Sequence, residues 1–176
     1  MNDKIAFCLE KVRKPARYTG GEYNSVIKDK KDVDVRFAFC FPDIYEIGMS
    51  HLGSKILYGL LNNMPGVWCE RVYAPFTDME EQMRAVGQPL YALESQDDLS
   101  CFDILGFTLQ YELNYTAVLN MMDLAGIPKY SKDRPNLTPL VVAGGPCVYN
   151  LEPMADFFDL IMIGEGEEVL PELVQL

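Results

Sequence analysis

The sequence lacks the patterns that would place the chain in a membrane or on a nucleic acid. No apolar run approaches the roughly 20 residues that a membrane-spanning helix needs. The N-terminus, which begins with Met1–Lys4, lacks the long apolar segment of a signal peptide. Basic residues are the minority, with 15 Lys and Arg against 26 Asp and Glu and a net charge of −11. Such a charge argues against a nucleic-acid or anionic-membrane partner. We therefore expect a cytoplasmic protein that binds neither.

Closely spaced cysteines are also absent. The five cysteines are odd in number and far apart: Cys8, Cys40, Cys69, Cys101 and Cys147. No pair has the CxxC spacing that is typical of zinc and iron–sulfur sites. We expect no metal on this chain, and we interpret the cysteines within apolar runs as small core residues in a reducing cytoplasm.

Signatures of catalytic and phosphate-binding loops are missing as well. The chain contains no GxSxG nucleophile elbow, no GxGxxG after a strand, and no GKS or GKT. It has one histidine, His51, and no serine is marked as a nucleophile beside it. Scattered carboxylates such as Asp43 and Glu112 define no acid–base pair without geometry. We assign no catalytic residue to this chain.

What the sequence does contain is a regular alternation of short apolar runs and stretches of helical periodicity. The runs predict five strands: Val35–Phe41, Val67–Ala74, Asp103–Leu109, Leu140–Ala143 and Leu160–Ile163. Apolar steps of three and four predict helices over Met49–Met64, Thr77–Val86, Tyr111–Ala125 and from Glu167 onward. This repetition predicts an α/β fold, a doubly wound, flavodoxin-like five-stranded parallel sheet in the order 2-1-3-4-5.

Local residues also predict how two of these helices begin and end. Thr77 and Glu80 have the spacing of a capping box with Thr77 as the N-cap, and Gly87 ends that helix. Pro171 falls late in the first turn of the last helix, where it can kink the backbone. That helix reaches Leu176 without a stop signal, so we expect the chain to be a fragment of a longer protein.

Residues 1–34 are predicted to form an N-terminal arm, and residues 35–176 the folded domain. The arm is basic in its middle and broken at Gly20–Gly21, with a short helix around Ile5–Lys11. Two interpretations stay open: a solvated lead-in, or a strap that packs on another part of a larger protein.

A ligand site is predicted at the carboxyl ends of the strands. Open parallel sheets bind ligands there, where the strand order reverses, and glycines follow the fourth and fifth predicted strands. The candidate cofactor-binding residues on this rim are Tyr45, Gly48, Ser50, His51, Thr108, Gln110, Gly144, Gly145, Gly164, Glu165 and Gly166.

Each of these signals has a structural interpretation too. A lone histidine such as His51 is more often a capping residue than a ligand. Gly144 and Gly145 can bring backbone close to a cofactor or simply form a tight turn. Glu167 and Glu168 suit the dipole of a helix N-terminus, and they would repel a diphosphate there. The rim therefore favours a neutral or cationic ligand, or a partner domain.

Several segments resemble a known group of domains. The end of the chain resembles the cobalamin-binding-type domain that precedes the catalytic barrel in many radical SAM enzymes, through Val142–Pro146, Glu152–Ala155 and Asp159–Glu167. Earlier segments are similar to the N-terminal part of a family of large, uncharacterised radical SAM proteins: Arg17–Asn24, Phe41–His51, Pro89–Ser95 and Phe102–Leu109. The resemblance covers nearly the whole chain.

The resemblance implies an accessory N-terminal domain of a radical SAM enzyme, which shapes the active-site entrance and has cobalamin as its candidate cofactor. It also implies S-adenosylmethionine and a 4Fe-4S cluster in a radical SAM barrel downstream, which would be this domain's partner. The cluster motif CxxxCxxC is absent from these 176 residues. The radical chemistry is therefore expected outside them.

The residues around His51 depart from the cobalt-ligating pattern DxHxxG. Met49 stands at the aspartate position, and Gly53 comes one residue early. We therefore predict that, if cobalamin binds, His51 is not its axial ligand.

Two alternatives to cobalamin binding stay open. A domain of the same fold without a cofactor would only bind a partner or shape the barrel entrance. A stand-alone flavin- or nucleotide-binding protein is the other alternative, and the missing phosphate loop and the acidic turn Gly164–Glu168 count against it.

Overall fold

The computed structural model describes residues 2–176 and contains a sheet of five parallel strands. In chain order these are β1 (Val35–Phe41), β2 (Val67–Tyr73), β3 (Ile104–Thr108), β4 (Leu140–Gly144) and β5 (Leu160–Ile161). Their spatial order is β2-β1-β3-β4-β5, and every pairing is parallel. The predicted doubly wound, flavodoxin-like α/β fold with strand order 2-1-3-4-5 is therefore confirmed.

Helices cover both faces of the sheet. They are α1 (Asp3–Leu9), α2 (Tyr45–Ser50), α3 (Leu52–Asn62), α4 (Thr77–Val86), α5 (Asn114–Leu124) and α6 (Gly166–Leu173). Side chains alternate along β1, so Phe37 and Phe39 belong to the apolar core beneath α3 and α6. Ala38 and Cys40 belong to the second core, beneath α1, α4 and α5. Among residues 2–176, no helix is long and apolar enough to cross a membrane.

A glycine in the middle of β3 shapes the α3–α6 face of the sheet. Gly106 lies beside Phe39 of β1 and Val142 of β4 in the strand register. A Cβ atom at Gly106 would lie 2.3 Å from Cζ of Phe37, so the phenylalanine ring occupies the space that a side chain would need. The glycine therefore lets the Phe37 ring lie directly against β3.

Several predicted boundaries are wrong, and one of them is the start of α5 at Asn114 instead of Tyr111. The helix predicted over Met49–Met64 is two helices, because His51 has extended backbone (φ −77°, ψ 116°) between α2 and α3. The capping box at Thr77 does not form, since Phe76 is the N-cap and Thr77 is already helical. β5 ends at Ile161 as a short edge strand instead of running to Ile163 as a buried one.

Two helix ends compare closely with the prediction. Gly87 ends α4 in the left-handed conformation, with φ of 63°, as the sequence predicts. α6 begins at Gly166, one residue before the predicted start, and Pro171 lies inside it.

The N-terminal segment 2–34 contacts the rest of the chain at several points, although most of its residues are exposed. Ile5 and Cys8 of α1 are completely buried. Farther along, Nε1 of Trp68 donates to the carbonyl oxygen of Val26 at 2.9 Å. Nζ of Lys28 donates to the carbonyl oxygen of Asn62 at 2.8 Å. The segment thus runs from the core under α4 to the open edge of β2.

Side chains also close the outer edge of β2. Nδ2 of Asn62 donates to the carbonyl oxygen of Cys69 at 2.9 Å, and Oδ1 accepts from the Cys69 N–H at 3.1 Å. Leu93 N–H donates to the Arg71 carbonyl at 2.9 Å. An edge satisfied in this way offers little backbone for pairing with another chain.

A buried ion pair joins the loop before β4 to the start of β5. The side chains of Arg134 and Asp159 are each only 3% exposed, and their Nη2 and Oδ1 atoms are 2.7 Å apart. Burial alone would raise the pKa of Asp159. Hydrogen bonds from Arg134, Ser131 and the Val141 N–H outweigh burial and lower that pKa below its usual value. The carboxylate is therefore a stabilising group at neutral pH.

We predict that Asp159→Asn lowers the free energy of unfolding by about 3–5 kcal/mol at pH 7, because it leaves the Arg134 charge buried without a partner. The matched control is Asp123→Asn, which removes a half-exposed carboxylate paired with Arg84 and Lys129 and should cost less than about 1 kcal/mol. Urea unfolding followed by circular dichroism measures both. Equal losses in the two variants would contradict this account of the ion pair.

The same pair predicts a pH dependence. Because the folded-state pKa of Asp159 is depressed, its contribution is complete above the unfolded pKa of about 3.9 and is lost as pH falls through the folded value. The stability difference between wild type and Asp159→Asn should therefore shrink below about pH 4. A difference that stays constant down to pH 3 would show that the carboxylate charge is not the stabilising element.

Candidate functional site

A cleft of about 500 Å³ opens at the carboxyl ends of β1, β3 and β4 and beside β5. Phe37, Phe39, Gly106 and Val142 contribute from the strands, and α3 and α6 contribute the walls. Its position at the switch point of the sheet, and its mainly apolar lining, are those of a small-molecule site in an α/β domain.

Eight of the eleven candidate residues line this cleft. They are His51, Thr108, Gln110, Gly144, Gly145, Gly164, Glu165 and Gly166. The structure therefore brings together the residues that follow four different strands, as expected where parallel strands end at one edge of a sheet.

The remaining three candidates, Tyr45, Gly48 and Ser50, lie in α2 outside the cleft lining. Tyr45 donates its hydroxyl to Oε1 of Glu22 at 2.9 Å, and burial together with this bond raises its pKa to about 12. A Cβ atom at Gly48 would lie 2.2 Å from the ring of Tyr73, so this glycine permits close packing. Ser50 donates to the Ile47 carbonyl at 2.9 Å. The first two contacts tie α2 to neighbouring segments, and the Ser50–Ile47 bond lies within α2 itself.

His51 stands at the mouth of the cleft as the N-cap of α3. Its Nδ1 accepts a hydrogen bond from the Ser54 backbone N–H at 3.1 Å, and Oγ of Ser54 lies 2.9 Å from the same nitrogen. The ring centroid is 5.3 Å from that of Phe41. The ring therefore satisfies one of the free N–H groups at the start of the helix.

The two glycines after β4 have different roles. Gly145 has φ of 98°, and a Cβ atom there would lie 2.8 Å from the carbonyl oxygen of Leu109, so the turn requires glycine. Gly144 has an ordinary φ, and a Cβ atom there would have only Cε of Met162 within 4.0 Å. Gly145 thus forms the tight turn, while Gly144 keeps the cleft open.

Polar groups line one side of the cleft. Nε2 of Gln110 donates to Oγ1 of Thr108 at 2.7 Å, which leaves the threonine hydroxyl proton free to donate elsewhere. Buried Asn114 accepts from the Gln110 N–H at 3.2 Å and donates to the Pro42 carbonyl at 2.9 Å. The loops after β1 and β3 are therefore held together at the switch point.

Negative charge collects at the α6 side of the cleft. Glu165 is the N-cap residue of α6 and lines the cleft, and Glu167 and Glu168 lie in the first turn. Their carboxylates are exposed and oppose the approach of an anion to the N-terminus of α6. Within residues 2–176, no three His, Cys, Asp or Glu side chains are grouped as metal ligands.

Several residues that line the cleft were not predicted from the sequence. Phe37 and Phe39 are two apart on β1, and their alternation would have placed them on one face of the sheet with Gly106 and Val142. Ser54 and Leu57 come from a helix whose start was misplaced. For Tyr149, which follows β4 in the 3₁₀ turn Pro146–Asn150, no sequence signal pointed to the cleft.

We predict that Gly145→Ala lowers the free energy of unfolding by about 1–3 kcal/mol, because it combines a strained φ with a short contact to Leu109. Gly144→Ala is the matched control and should change it by less than about 0.5 kcal/mol. Urea unfolding of the two variants measures the difference. If Gly144→Ala and Gly145→Ala lower the free energy of unfolding equally, the turn does not require glycine at position 145.

Comparison with known proteins adds to this geometry. The model of the family described as radical SAM proteins, N-terminal, matches residues 53–176. An uncharacterised protein from Methanocaldococcus jannaschii is 33% identical over 112 residues, which cover 62% of this chain and 23% of the relative. The chain thus spans less than a quarter of that relative's length. No solved structure gave a significant match. On the family match, the chain belongs to the N-terminal family of radical SAM proteins.

Proposed function

We propose that this chain is an accessory domain of a radical SAM enzyme that holds cobalamin in the cleft and shapes the entrance to a catalytic barrel. The observation that carries the proposal is the cleft of about 500 Å³ at the switch point of a chain from this family. Ligands of doubly wound folds bind at that position. The radical chemistry itself would belong to the barrel, where S-adenosylmethionine and the 4Fe-4S cluster would bind.

The residues of the cleft fit one end of a large, largely neutral cofactor. Gly144 and Gly164 leave the rim without bulky side chains, so a ligand can approach the backbone. Phe39 and Val142 offer apolar contact, and Thr108 offers a hydroxyl donor. Cobalamin is much larger than the cleft, so only part of it would enter. When bound, it would supply a cobalt centre that carries methyl groups or electrons.

The negative charge beside the cleft favours cobalamin over a dinucleotide. A flavin or nicotinamide dinucleotide carries a diphosphate, which doubly wound domains usually hold on backbone N–H groups at a helix N-terminus. Here Glu165, Glu167 and Glu168 surround the N-terminus of α6. The electrostatic repulsion counts against the flavin- or nucleotide-binding alternative.

A second candidate function is partner binding without a cofactor, and exposed apolar side chains beside the cleft favour it. Leu52 is 69% exposed, Tyr149 77% and Ile163 62%. Each lines the cleft or adjoins a residue that does. Apolar side chains exposed beside a cleft are found on surfaces that another protein covers. The downstream barrel of the same enzyme is the partner that we propose for it.

We predict that the chain, incubated with hydroxocobalamin and desalted, retains the cofactor's visible absorption. Gly144→Leu should reduce retention at least tenfold, because the new side chain extends into the cleft. Gly59→Leu is the matched control, since Gly59 lies in α3 outside the cleft lining and a Cβ atom there meets nothing within 4 Å. This variant should retain cobalamin like wild type.

Each outcome of this experiment has a meaning. No retention by folded wild type would contradict cobalamin binding and favour the cofactor-free partner function. Equal retention by Gly144→Leu and wild type would place the cofactor outside the cleft. Retention of FMN but not cobalamin would favour the flavin alternative.

A further inference from the structure

The hydrogen bonds of His51 fix more than the start of α3. A neutral imidazole carries one proton, so one ring nitrogen donates and the other accepts. Nδ1 of His51 lies 3.1 Å from the Ser54 backbone nitrogen and 2.9 Å from Oγ of Ser54. The serine hydroxyl can rotate to donate or to accept, whereas the backbone N–H can only donate. The backbone therefore requires Nδ1 to accept, which leaves the proton on Nε2.

The surroundings hold the ring in this orientation. A Cβ atom at Gly53 would lie 3.0 Å from Cε1 of His51, so glycine lets the ring lie over the first turn of α3. Phe41 packs against the ring with 5.3 Å between centroids. Nε2 has no hydrogen-bond partner in the part of the chain that the structure describes, and His51 lines the cleft.

We propose that His51 is locked with its proton on Nε2, so that it offers the cleft a hydrogen-bond donor instead of a metal-binding lone pair. A neutral histidine binds a metal through an unprotonated nitrogen. Coordination through Nε2 would move the proton to Nδ1, where it would face the Ser54 N–H and break the α3 cap. The ligand group that suits His51 is therefore an oxygen acceptor, such as an amide carbonyl.

For cobalamin, this inference rests on the proposed function. The corrin ring carries primary amide side chains whose carbonyl oxygens are acceptors of this kind. His51 would then help to determine which face or edge of the ligand enters the cleft, without contacting the cobalt ion. The tautomer itself is a property of the chain alone and can be tested without any cofactor.

The first experiment is a long-range proton–nitrogen correlation spectrum of the chain labelled with ¹⁵N-histidine, recorded near pH 8. His51 is the one histidine in the sequence, so one ring gives the signals. We expect a protonated Nε2 and an unprotonated Nδ1. Ser54→Ala keeps the backbone N–H and should give the same pattern. A protonated Nδ1, an averaged mixture of tautomers, or a tautomer change in Ser54→Ala would overturn the proposal.

The second experiment separates the cap from the donor. His51→Asn keeps a strong N-cap and removes Nε2–H, whereas His51→Ala removes both. His51→Asn should melt near wild type, and His51→Ala at a lower temperature. With hydroxocobalamin, we expect the cobalt absorption bands of both variants to match those of wild type. Both variants should bind hydroxocobalamin about 3- to 10-fold more weakly than wild type, which corresponds to the loss of one neutral hydrogen bond.

These outcomes distinguish failure of the inference from failure of the proposed function. A shift of the cobalt bands in His51→Asn would show coordination by His51 and overturn the inference while cobalamin binding stands. If wild type binds no cobalamin, the proposed function fails, and the nitrogen spectrum alone decides the state of His51.

Discussion

One side chain–backbone hydrogen bond, from the Ser54 N–H to Nδ1 of His51, caps the helix that forms one wall of the cleft. This bond begins a new helix at Leu52, although apolar residues continue at helical spacing from Met49 into α3. Because α3 begins after an extended residue instead of continuing α2, its first turn lies over the carboxyl ends of the strands. There it lines the cleft together with α6, which lies on the same face of the sheet. Gly144 and Gly164 border the cleft with open space beside them, whereas Gly166 packs against Leu57 of α3.

The α2 segment is anchored independently by a buried charge network. Arg71 pairs with Oε1 of Glu94 at 2.6 Å and with Oε2 of Glu22 at 2.7 Å, and its Nη1 lies 3.1 Å from Sδ of Met49. Burial alone would lower the pKa of Arg71, but the two carboxylates outweigh it and raise that pKa. Through Glu22, the N-terminal segment therefore helps to position α2, and with it the residue that caps α3. An arm that first looks like an appendage is part of the scaffold of the site.

Periodicity explains which features could be predicted from the sequence. The five strands and their order followed from apolar runs and strand–helix alternation, because burial on a sheet imposes those patterns. The helix break at His51 could not be found in this way, since it depends on a single hydrogen bond within an unbroken apolar stripe. Tyr45, Gly48 and Ser50 were placed at the site because they follow the first predicted strand, but they form α2 outside the cleft lining. The helical spacing of four apolar residues did indicate that α1 is buried: Ile5, Cys8, Leu9 and Val12. The charged residues around them obscured this pattern.

Cobalamin is proposed to enter the cleft between α3 and α6 without coordination by His51. A crystal structure of the chain grown with hydroxocobalamin tests it most directly, because anomalous scattering locates the cobalt ion independently of the surrounding density. We expect cofactor density over Gly144 and Gly164, with Nε2 of His51 directed at a ligand oxygen. Cobalt bonded to Nε2, or cobalamin bound away from the cleft, would contradict it.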